Sequence, residues 1–479
     1  MTSSWKCWRL VMAIFILVPL QSLNAQKKWS LQDCIEHALS NNIQIRQQRL
    51  SLDLASDNLL QSRLALLPSL NGNASHAYNY GRTVDRFTNT FATTEVQSNN
   101  FYVQGQLTVF NGFQMLHTIA RNRLSLMAGK YDVEKMQNDI SLNLASAYLN
   151  ILYTQEALTN VSGQYDLTQE QVNRIKKLVE AGSLAKSNLL NMEAQAATEE
   201  LSLVNARNNL EIAYLTLVQI LDIKTTEGFD IERPVLNVPD QVQLTEQPAQ
   251  IFAVAQGIQP EVKSAELKVE SALRDLYIAR GSASPVLTLA GSYGTGYSGA
   301  SQRLKGYSIG GLDTIGYTAA TPAVPVLAPS VITELEKIPF HDQINDNLNK
   351  SFGFYLSIPI FNGYQSRTAI SRAKIGIAQA SYSLDNTRNQ LYQDVQRAWA
   401  DAQASVKQYH AAKKSLDAMR EAYFYTQQRF EIGSANAVEF SEAKKNLAKA
   451  ESDVLTAKYE YVFRKTVLDF YMGKPIRIE

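Results

Sequence analysis

The sequence predicts a membrane protein of mixed α and β structure, in which a β-barrel continues into a helical tube. Three observations support this fold class. An alternating, strand-like run ends in Phe110-Asn-Gly112 and opens directly into a long helical pattern. The same arrangement returns 251 residues later at Phe361-Asn-Gly363. The chain also begins with a segment typical of exported proteins, so we take that segment first.

The first 25 residues read as a secretory signal peptide. Lys6 and Arg9 form a positive region, Leu10–Leu20 is apolar, and Ala25 ends a plausible cleavage site. The alternative, an N-terminal membrane anchor, needs about 20 apolar residues, roughly twice what this run offers. Cleavage would leave Cys34 as a lone cysteine, so no internal disulfide is expected. The formal net charge of +1, without a basic tract, argues against nucleic acid as a partner.

The rest of the chain reads as a duplicated unit. The first repeat, residues 26–248, is predicted to contain a helix, strands 69–80 and 101–110, a long helical hairpin 113–221 and a connector 222–248. The second repeat, residues 249–479, is predicted to contain a helix 249–281, strands 286–297 and 351–360, a long helical hairpin 365–472 and a C-terminal tail. Residues 81–100 and 298–350 read as loops.

The helical hairpins are unusually long. Residues 113–221 contain no proline, and apolar residues recur there at heptad spacing up to Gly182 and again after it. Gly433 holds the same place in the second repeat. A first helix of about 67 residues would measure roughly 100 Å, far longer than a globular helix. This length favours a projecting tube, with a filament-like coiled coil as the alternative.

Each repeat contributes two strands of the length that a tilted membrane strand needs. In residues 101–110 and 351–360, apolar side chains alternate with polar ones, which predicts one face toward lipid and one toward water. A soluble sheet packed on a core is the alternative. Because four strands cannot close a barrel and open edges cannot exist in hydrocarbon, other subunits must complete it. Three copies would supply twelve strands.

Several short motifs resemble a known family in their order and in their duplication. They are Ala38-Leu-Ser-Asn-Asn42, Leu67-Pro-Ser-Leu70, Val109-Phe-Asn-Gly112, Glu180-Ala-Gly-Ser183, Pro359-Ile-Phe-Asn-Gly363 and Arg429-Phe-Glu-Ile-Gly433, with Glu439 following. On these residues the chain resembles the TolC family of outer-membrane efflux proteins over nearly its whole length after the signal.

The resemblance implies a homotrimer with a 12-stranded transmembrane β-barrel and a 12-helix periplasmic α-barrel. It implies location in the outer membrane of a Gram-negative bacterium, in contact with outer-membrane lipid. It also implies a passive channel, or exit duct, of a tripartite efflux or type I secretion system, exporting drugs, toxins or proteins. The expected partners are a periplasmic adaptor protein and an inner-membrane pump, and separation of the periplasmic hairpin tips would open the duct. No cofactor or metal and no enzymatic activity are expected.

The hairpin tips are the predicted functional sites. The family places acidic residues that narrow the pore at positions matching Glu439 and Glu442, and Asn188 and Asn436 are candidates for closing contacts, together with packing of Phe430. The alternative for the two glutamates is an ordinary role in a helix's first turn. The predicted adaptor contacts are Glu180, Ala181, Gly182, Ser183, Leu184, Glu431, Ile432, Gly433, Ser434 and Ala435. Gly182 and Gly433 are predicted to end the descending helices, and Ser183 and Ser434 to cap the returning ones.

The joint between strand and helix is predicted at Phe110, Asn111 and Gly112, and again at Phe361, Asn362 and Gly363. The phenylalanines suit the membrane's periplasmic edge, and each Asn-Gly pair suits a sharp turn. A surface-anchored coiled-coil structural protein or adhesin is the second functional hypothesis. The exported substrate, the pump class, the latch of the closed tip and a lid function for residues 298–350 remain open.

Overall fold

The computed structural model describes residues 28–477, except for 86, 87, 90, 93, 94, 235, 237 and 239–245. The predicted signal peptide lies outside the described residues. The chain forms two compact units. One comprises Met1–Leu54, Leu126–Lys268 and Ala380–Glu479, and the other comprises Ala55–Ser125 and Val269–Gln379. The bounds of these units cut across the two sequence repeats.

The helices of the two repeats match in length. In the first repeat they are α1 (Leu31–Asn41), α2 (Ile43–Leu64), α3 (Gln114–Glu180) and α4 (Lys186–Ile220). In the second they are α5 (Pro248–Ile258), α6 (Pro260–Gly281), α7 (Phe340–Asp346), α8 (Gln365–Glu431) and α9 (Ala437–Tyr471). Helices α3 and α8 each have 67 residues, and α4 and α9 each have 35. None of the described helices is both long enough and apolar enough to cross a membrane.

Two of the predicted helices are interrupted. The first, predicted to run from Trp29 to Leu67, begins at Leu31 and breaks at Asn42, whose side-chain oxygen accepts a hydrogen bond from Gln44 N at 2.9 Å and so starts a new helix. The prediction of a single helix over 249–281 is also wrong. Its break falls at Gln259, because Pro260 has no N–H to continue the preceding helix and suits the first turn of the next.

The strands form one four-stranded antiparallel sheet and two hairpins. In chain order the strands are β1 (Ser69–Asn79), β2 (Thr83–Val84), β3 (Phe91–Ala92), β4 (Val96–Phe110), β5 (Val286–Ser298), β6 (Gln302–Tyr317), β7 (Pro325–Lys337) and β8 (Asn349–Ser357). The sheet order is β1-β4-β5-β8, while β2 pairs with β3 and β6 pairs with β7. The β4–β5 pairing therefore joins the two repeats.

The strand register separates the sheet into two chemically different faces. One cross-strand row contains Asn71, Gln104, Ser292 and Ser351, all polar. On the opposite face of the sheet, another cross-strand row contains Leu107, Leu289 and Phe354, all apolar. Directly opposed residues point to the same side, and successive residues alternate. The sheet thus has one mainly polar face and one mainly apolar face, with His76, Asn99 and Lys350 as polar exceptions on the apolar side.

Four predictions about the strands and the segments between them need correction. Strand β4 begins at Val96, earlier than predicted, and β8 ends at Ser357 rather than at residue 360, because Pro359 cannot donate a ladder hydrogen bond. The segment 81–100 holds the short β2–β3 hairpin as well as the start of β4. Residues 298–350 are not a loop. They form the long β6–β7 hairpin and α7, since Ile, Val and Tyr there alternate at strand spacing despite the glycines and prolines.

The main core of the first compact unit lies where α1, α3, α4 and α9 meet the connector. Tyr148 of α3 is almost fully buried, and its hydroxyl donates to the carbonyl oxygens of Glu232 at 2.7 Å and Trp29 at 3.2 Å. Trp29 and Ile231 also form a parallel β-bridge. Burial raises the pKa of the Tyr148 hydroxyl well above its ordinary value. Through its hydrogen bond to Glu232, Tyr148 links helix α3 to the connector.

Candidate functional site: the helical hairpin tips and the strand-to-helix joints

Both hairpin tips turn through a glycine in the left-handed region. Gly182 has φ +74° and Gly433 has φ +79°, as the sequence indicated. At the first tip, Gly182 N donates to Val179 O and Ser183 N donates to Leu178 O, and the second tip repeats the pattern. These paired bonds form a Schellman motif, which satisfies the last helical carbonyls.

The predicted serine caps are wrong. The cap of α9 is Asn436, whose side-chain oxygen accepts hydrogen bonds from Val438 N at 3.0 Å and Glu439 N at 2.9 Å. Helix α4 begins after Ala185, which has no side chain able to cap. Ser183 and Ser434 sit two residues too early, because they supply the Schellman bonds of the preceding helices instead.

The structure brings the two tips together around one cleft of about 500 Å³. Asn188, Asn436 and Glu439 all line it, together with Leu184, Glu431, Gly433, Ser434 and Ala435. Glu442 is exposed and does not line this cleft. Three of the four predicted constriction residues therefore share a surface within one chain.

The charge of Glu439 is balanced inside the chain. Its carboxylate lies 3.3 Å from Nη2 of Arg429 and accepts a hydrogen bond from the Asn436 amide at 3.0 Å. The ion pair is about half exposed on both sides, so its contribution to stability is small, about 0–1 kcal/mol. Glu439 is a helix-start carboxylate in this structure, held near its own backbone by the cap.

A pair of stacked aromatic rings joins helices α8 and α9 next to the tips. Phe430 lies parallel to Phe440, with ring centroids 4.7 Å apart. Phe440 is buried with Ile175 and Met192, so this small core joins α3, α4 and α9. Deleting a fully buried aromatic ring costs about 3–5 kcal/mol. Phe430 thus packs within its own chain, and its role in closing the tip stays a prediction.

A buried charge network, missed from the sequence, lies on the same helices. The ammonium group of Lys444 is 3.1 Å from Glu199 Oε1, donates to Gln164 O at 2.8 Å and also donates to the Thr168 hydroxyl. The Lys444 side chain is only 8% exposed and that of Glu199 is 12% exposed. Burial lowers the pKa of the Lys444 ammonium, while Glu199 acts in the opposite direction. The available signal was the spacing: Phe440, Lys444 and Leu447 share one helical stripe.

At the strand-to-helix joints, two successive residues adopt the left-handed region. Gly112 and Phe113 have φ +68° and +62°, and Gly363 and Tyr364 have φ +60° and +69°. The sequence identified the glycines but not the aromatic residue after each of them. A Cβ on Gly112 would lie 2.5 Å from Gly281 O, so glycine is required there for space as well as for conformation.

No chemistry beyond this is visible in the described part of the chain. It contains no group of three or more His, Cys, Asp or Glu side chains arranged to hold a metal ion. Cys34 is a buried free thiol, and burial raises its pKa to about 12.

Comparisons with known proteins agree with this geometry. The family model described as "Outer membrane efflux protein" matches residues 34–222 and 254–474. The outer membrane protein TolC of Escherichia coli K12 is 24% identical over 457 residues, covering 93% of this chain and 82% of TolC. The outer membrane efflux protein BepC of Brucella suis is 20% identical over 471 residues, covering 95% of this chain and 90% of BepC. These relatives are outer-membrane proteins rather than enzymes.

Solved channel structures share the fold. The CusC structure superposes with a TM-score of 0.73 at 15% identity, covering 93% of this chain and 92% of CusC. The CmeC outer membrane channel of Campylobacter jejuni also gives 0.73, at 17% identity, with 92% and 85% covered. With the family model matching most of the sequence, the chain belongs to the outer membrane efflux protein family and is an outer-membrane exit duct of the TolC type, serving efflux or secretion.

Proposed function

We propose that three copies of this chain form a passive duct, with a 12-stranded barrel in the membrane and a 12-helix barrel in the periplasm. The duct performs no chemistry, and its energy comes from an inner-membrane pump reached through a periplasmic adaptor. The observation that carries the proposal is the sheet: among the described strands, its outer members β1 and β8 are each hydrogen-bonded to one neighbour only. Because the sheet has an apolar face suited to lipid, these edges need partners inside the membrane. The adhesin alternative is not favoured.

The duplication supports a specific way of closing the barrel. Ser69 pairs with Gln106 in the first repeat, and Val286 pairs with Ser357 in the second. These pairs correspond under the repeat offsets, which are 217 residues from β1 to β5 and 251 residues from β4 to β8. The β1–β4 pair and the β5–β8 pair therefore have the same register.

Strand β8 corresponds to β4, and β1 corresponds to β5. The contact of β8 with β1 of the next copy should thus repeat the β4–β5 register. Val103 pairs with Tyr293 within the chain. The same offsets place Phe354 of one copy, the counterpart of Val103, opposite His76 of the next copy, the counterpart of Tyr293. Repeated three times, this pairing leaves no open edge.

The hairpin tips are proposed as the closing constriction and the docking surface. Around a threefold axis, Glu439, Glu442, Asn188 and Asn436 would narrow the pore, and residues 180–184 and 431–435 would meet the adaptor. Opening would separate the hairpins. The shared cleft of the two tips supports this role, because any widening must move both tips. Joints 110–112 and 361–363 hold the change from sheet to helix.

The constriction is tested by ion selectivity. We expect Glu439→Gln with Glu442→Gln to lower cation preference in planar bilayer recordings, because two acidic rings attract cations. Glu460→Gln, on the same helix but far from the tip, is the matched control. Arg429 already pairs with Glu439, so Arg429→Gln should raise cation preference. Unchanged selectivity in both tip variants would remove these residues from the pore.

The duct itself is tested by extraction and mass. The protein should leave an outer-membrane fraction only with detergent and should have three times the mass of one chain. It should also form ion-conducting pores in planar bilayers. A monomer extracted without detergent, or a trimer without conductance, would contradict the proposal.

A further inference from the structure

The β6–β7 hairpin, here called the ribbon, has one apolar and one mainly polar face. Its register contains irregularities between Leu304 and Gly306, between Ile309 and Leu312, and between Thr314 and Gly316. Each irregularity shifts the register so that the apolar side chains before and after it lie on the same face. The mainly apolar face carries Leu304, Tyr307, Ile309, Leu312, Tyr317, Val331 and Leu335 beside Thr314 and Thr333. The opposite face carries Arg303, Ser308, Asp313, Ser330, Glu334 and Glu336 beside Val326, Ala328 and Ile332.

The apolar face is open to solvent in the single chain. Ile309 is 82% exposed and Tyr317 is 70% exposed. Among the described strands, β6 and β7 pair only with each other. A lone two-stranded hairpin is marginally stable in water, and a contiguous exposed apolar strip of this length marks an interaction surface. The apolar face of the ribbon therefore requires a packing partner.

The contacts at the ribbon's base show which way this face turns. Helix α7 packs on the apolar side of the sheet, where Phe340 meets the rings of Phe101 and Tyr297. Arg303, on the polar face of the ribbon, pairs with Asp342 of α7 at 3.2 Å. At its base, the polar face of the ribbon is thus turned toward the apolar side of the sheet, and its apolar face toward the polar side.

In the proposed trimer, the polar side of the sheet lines the water-filled lumen. A ribbon whose apolar face turns to that side cannot place it on lipid. The ribbon also leaves the sheet at Ser298, the end opposite the joint at 110–112, which is the outer mouth of the duct. Three ribbons related by the threefold axis would face each other there. We propose that the apolar faces of the three ribbons pack together and close the outer mouth, so that the occupant is a second and third copy of this chain.

This proposal rests on the proposed trimer and is tested on the full-length protein after its trimeric mass has been measured. Cysteine is introduced on the apolar face as Ile309→Cys and Leu312→Cys, and on the polar face as Ser308→Cys and Glu334→Cys. Native Cys34 is fully buried, so the unmodified chain gives the background. A short bismaleimide should link copies into dimers severalfold more in the apolar-face variants than in the polar-face variants.

Closure is measured separately through a cysteine in the lumen. Ser292→Cys lies on the polar face of the sheet, in the row with Gln104 and Ser351. In whole cells, replacing Tyr307, Ile309, Leu312 and Val331 together by Ser should raise severalfold the rate at which an external polyethylene-glycol maleimide modifies Ser292→Cys. The rate with a small maleimide should stay unchanged.

The proposal is overturned by any of three results from a confirmed trimer. These are equal cross-linking on both faces, no cross-linking on either face, or quenching by brominated lipid of a fluorophore on Ile309→Cys, which would place the ribbon on the membrane surface. A chain that is not trimeric would fail the mass measurement first, which separates failure of the duct from failure of the ribbon closure.

Discussion

Replacing Lys444 by Met should loosen the helical hairpins locally. The substitution removes the ammonium group from Glu199 Oε1 at 3.1 Å and from Gln164 O at 2.8 Å, and it leaves the Glu199 carboxylate buried without its cation. Breaking a buried ion pair in this way costs about 3–5 kcal/mol. At about 1.4 kcal/mol per factor of ten, local opening should become roughly 10² to 10³·⁵ times more frequent.

Hydrogen exchange with mass spectrometry is the suitable assay, because it reports opening segment by segment. Peptides around residues 164–168, 196–203 and 441–448 should exchange faster in Lys444→Met, while strand peptides should not change. The double variant Lys444→Met with Glu199→Met should return close to the original protection, since well-packed apolar side chains replace such pairs at little cost.

The matched control is Lys135→Met. Lys135 pairs with Asp139 at 2.6 Å one helical turn away, but both side chains are 46% exposed, so the cost should stay below about 0.5 kcal/mol. The reasoning would be refuted if Lys444→Met left exchange unchanged, or if the double variant opened as often as the single one.

Three further predictions concern the joint, the core and the tip. Gly112→Ala should lower trimer yield far more than Gly363→Ala on denaturing gels of unheated samples: both residues have positive φ, but only at Gly112 would a Cβ meet Gly281 O, at 2.5 Å. Tyr148→Phe should destabilise the core by about 0.5–1.5 kcal/mol in denaturant titration, because the Tyr148 hydroxyl's hydrogen bond to the Glu232 carbonyl is lost. The raised pKa of Tyr148 means that the native state keeps a proton that the unfolded chain loses above about pH 10, so stability falls with pH there and Tyr148→Phe should lessen that fall. Asn436→Ala should speed hydrogen exchange in the first turn of α9, because loss of an N-cap side chain costs about 1 kcal/mol. An unchanged exchange rate would argue against the cap.

The duplication was readable from the sequence because heptad spacing and the Asn-Gly turns are local signals. Leu144 and Val395, for example, begin the same series 251 residues apart, and both are fully buried. The glycines at the tips were readable for a similar reason, since positive φ restricts residue choice. These features depend on a few neighbouring residues.

Other features required three-dimensional information. The pairing of Lys444 with Glu199 joins residues 245 apart, and no local pattern fixes such a partner. The serine caps were misplaced by two residues, because a Schellman turn and a helix start compete for the same short segment. The two strands of the ribbon could not be predicted, because their glycines and prolines favour a loop unless the cross-strand partner is known.

Barrel closure by the β8–β1 contact is most directly tested by cysteine pairs across the predicted subunit boundary. Phe354→Cys combined with His76→Cys should form disulfide-linked dimers and trimers on non-reducing denaturing gels. Phe354→Cys combined with Tyr78→Cys, shifted by two residues along the strand, should cross-link far less. Equal cross-linking of both pairs, or monomers only with both pairs, would contradict closure of the barrel in this register.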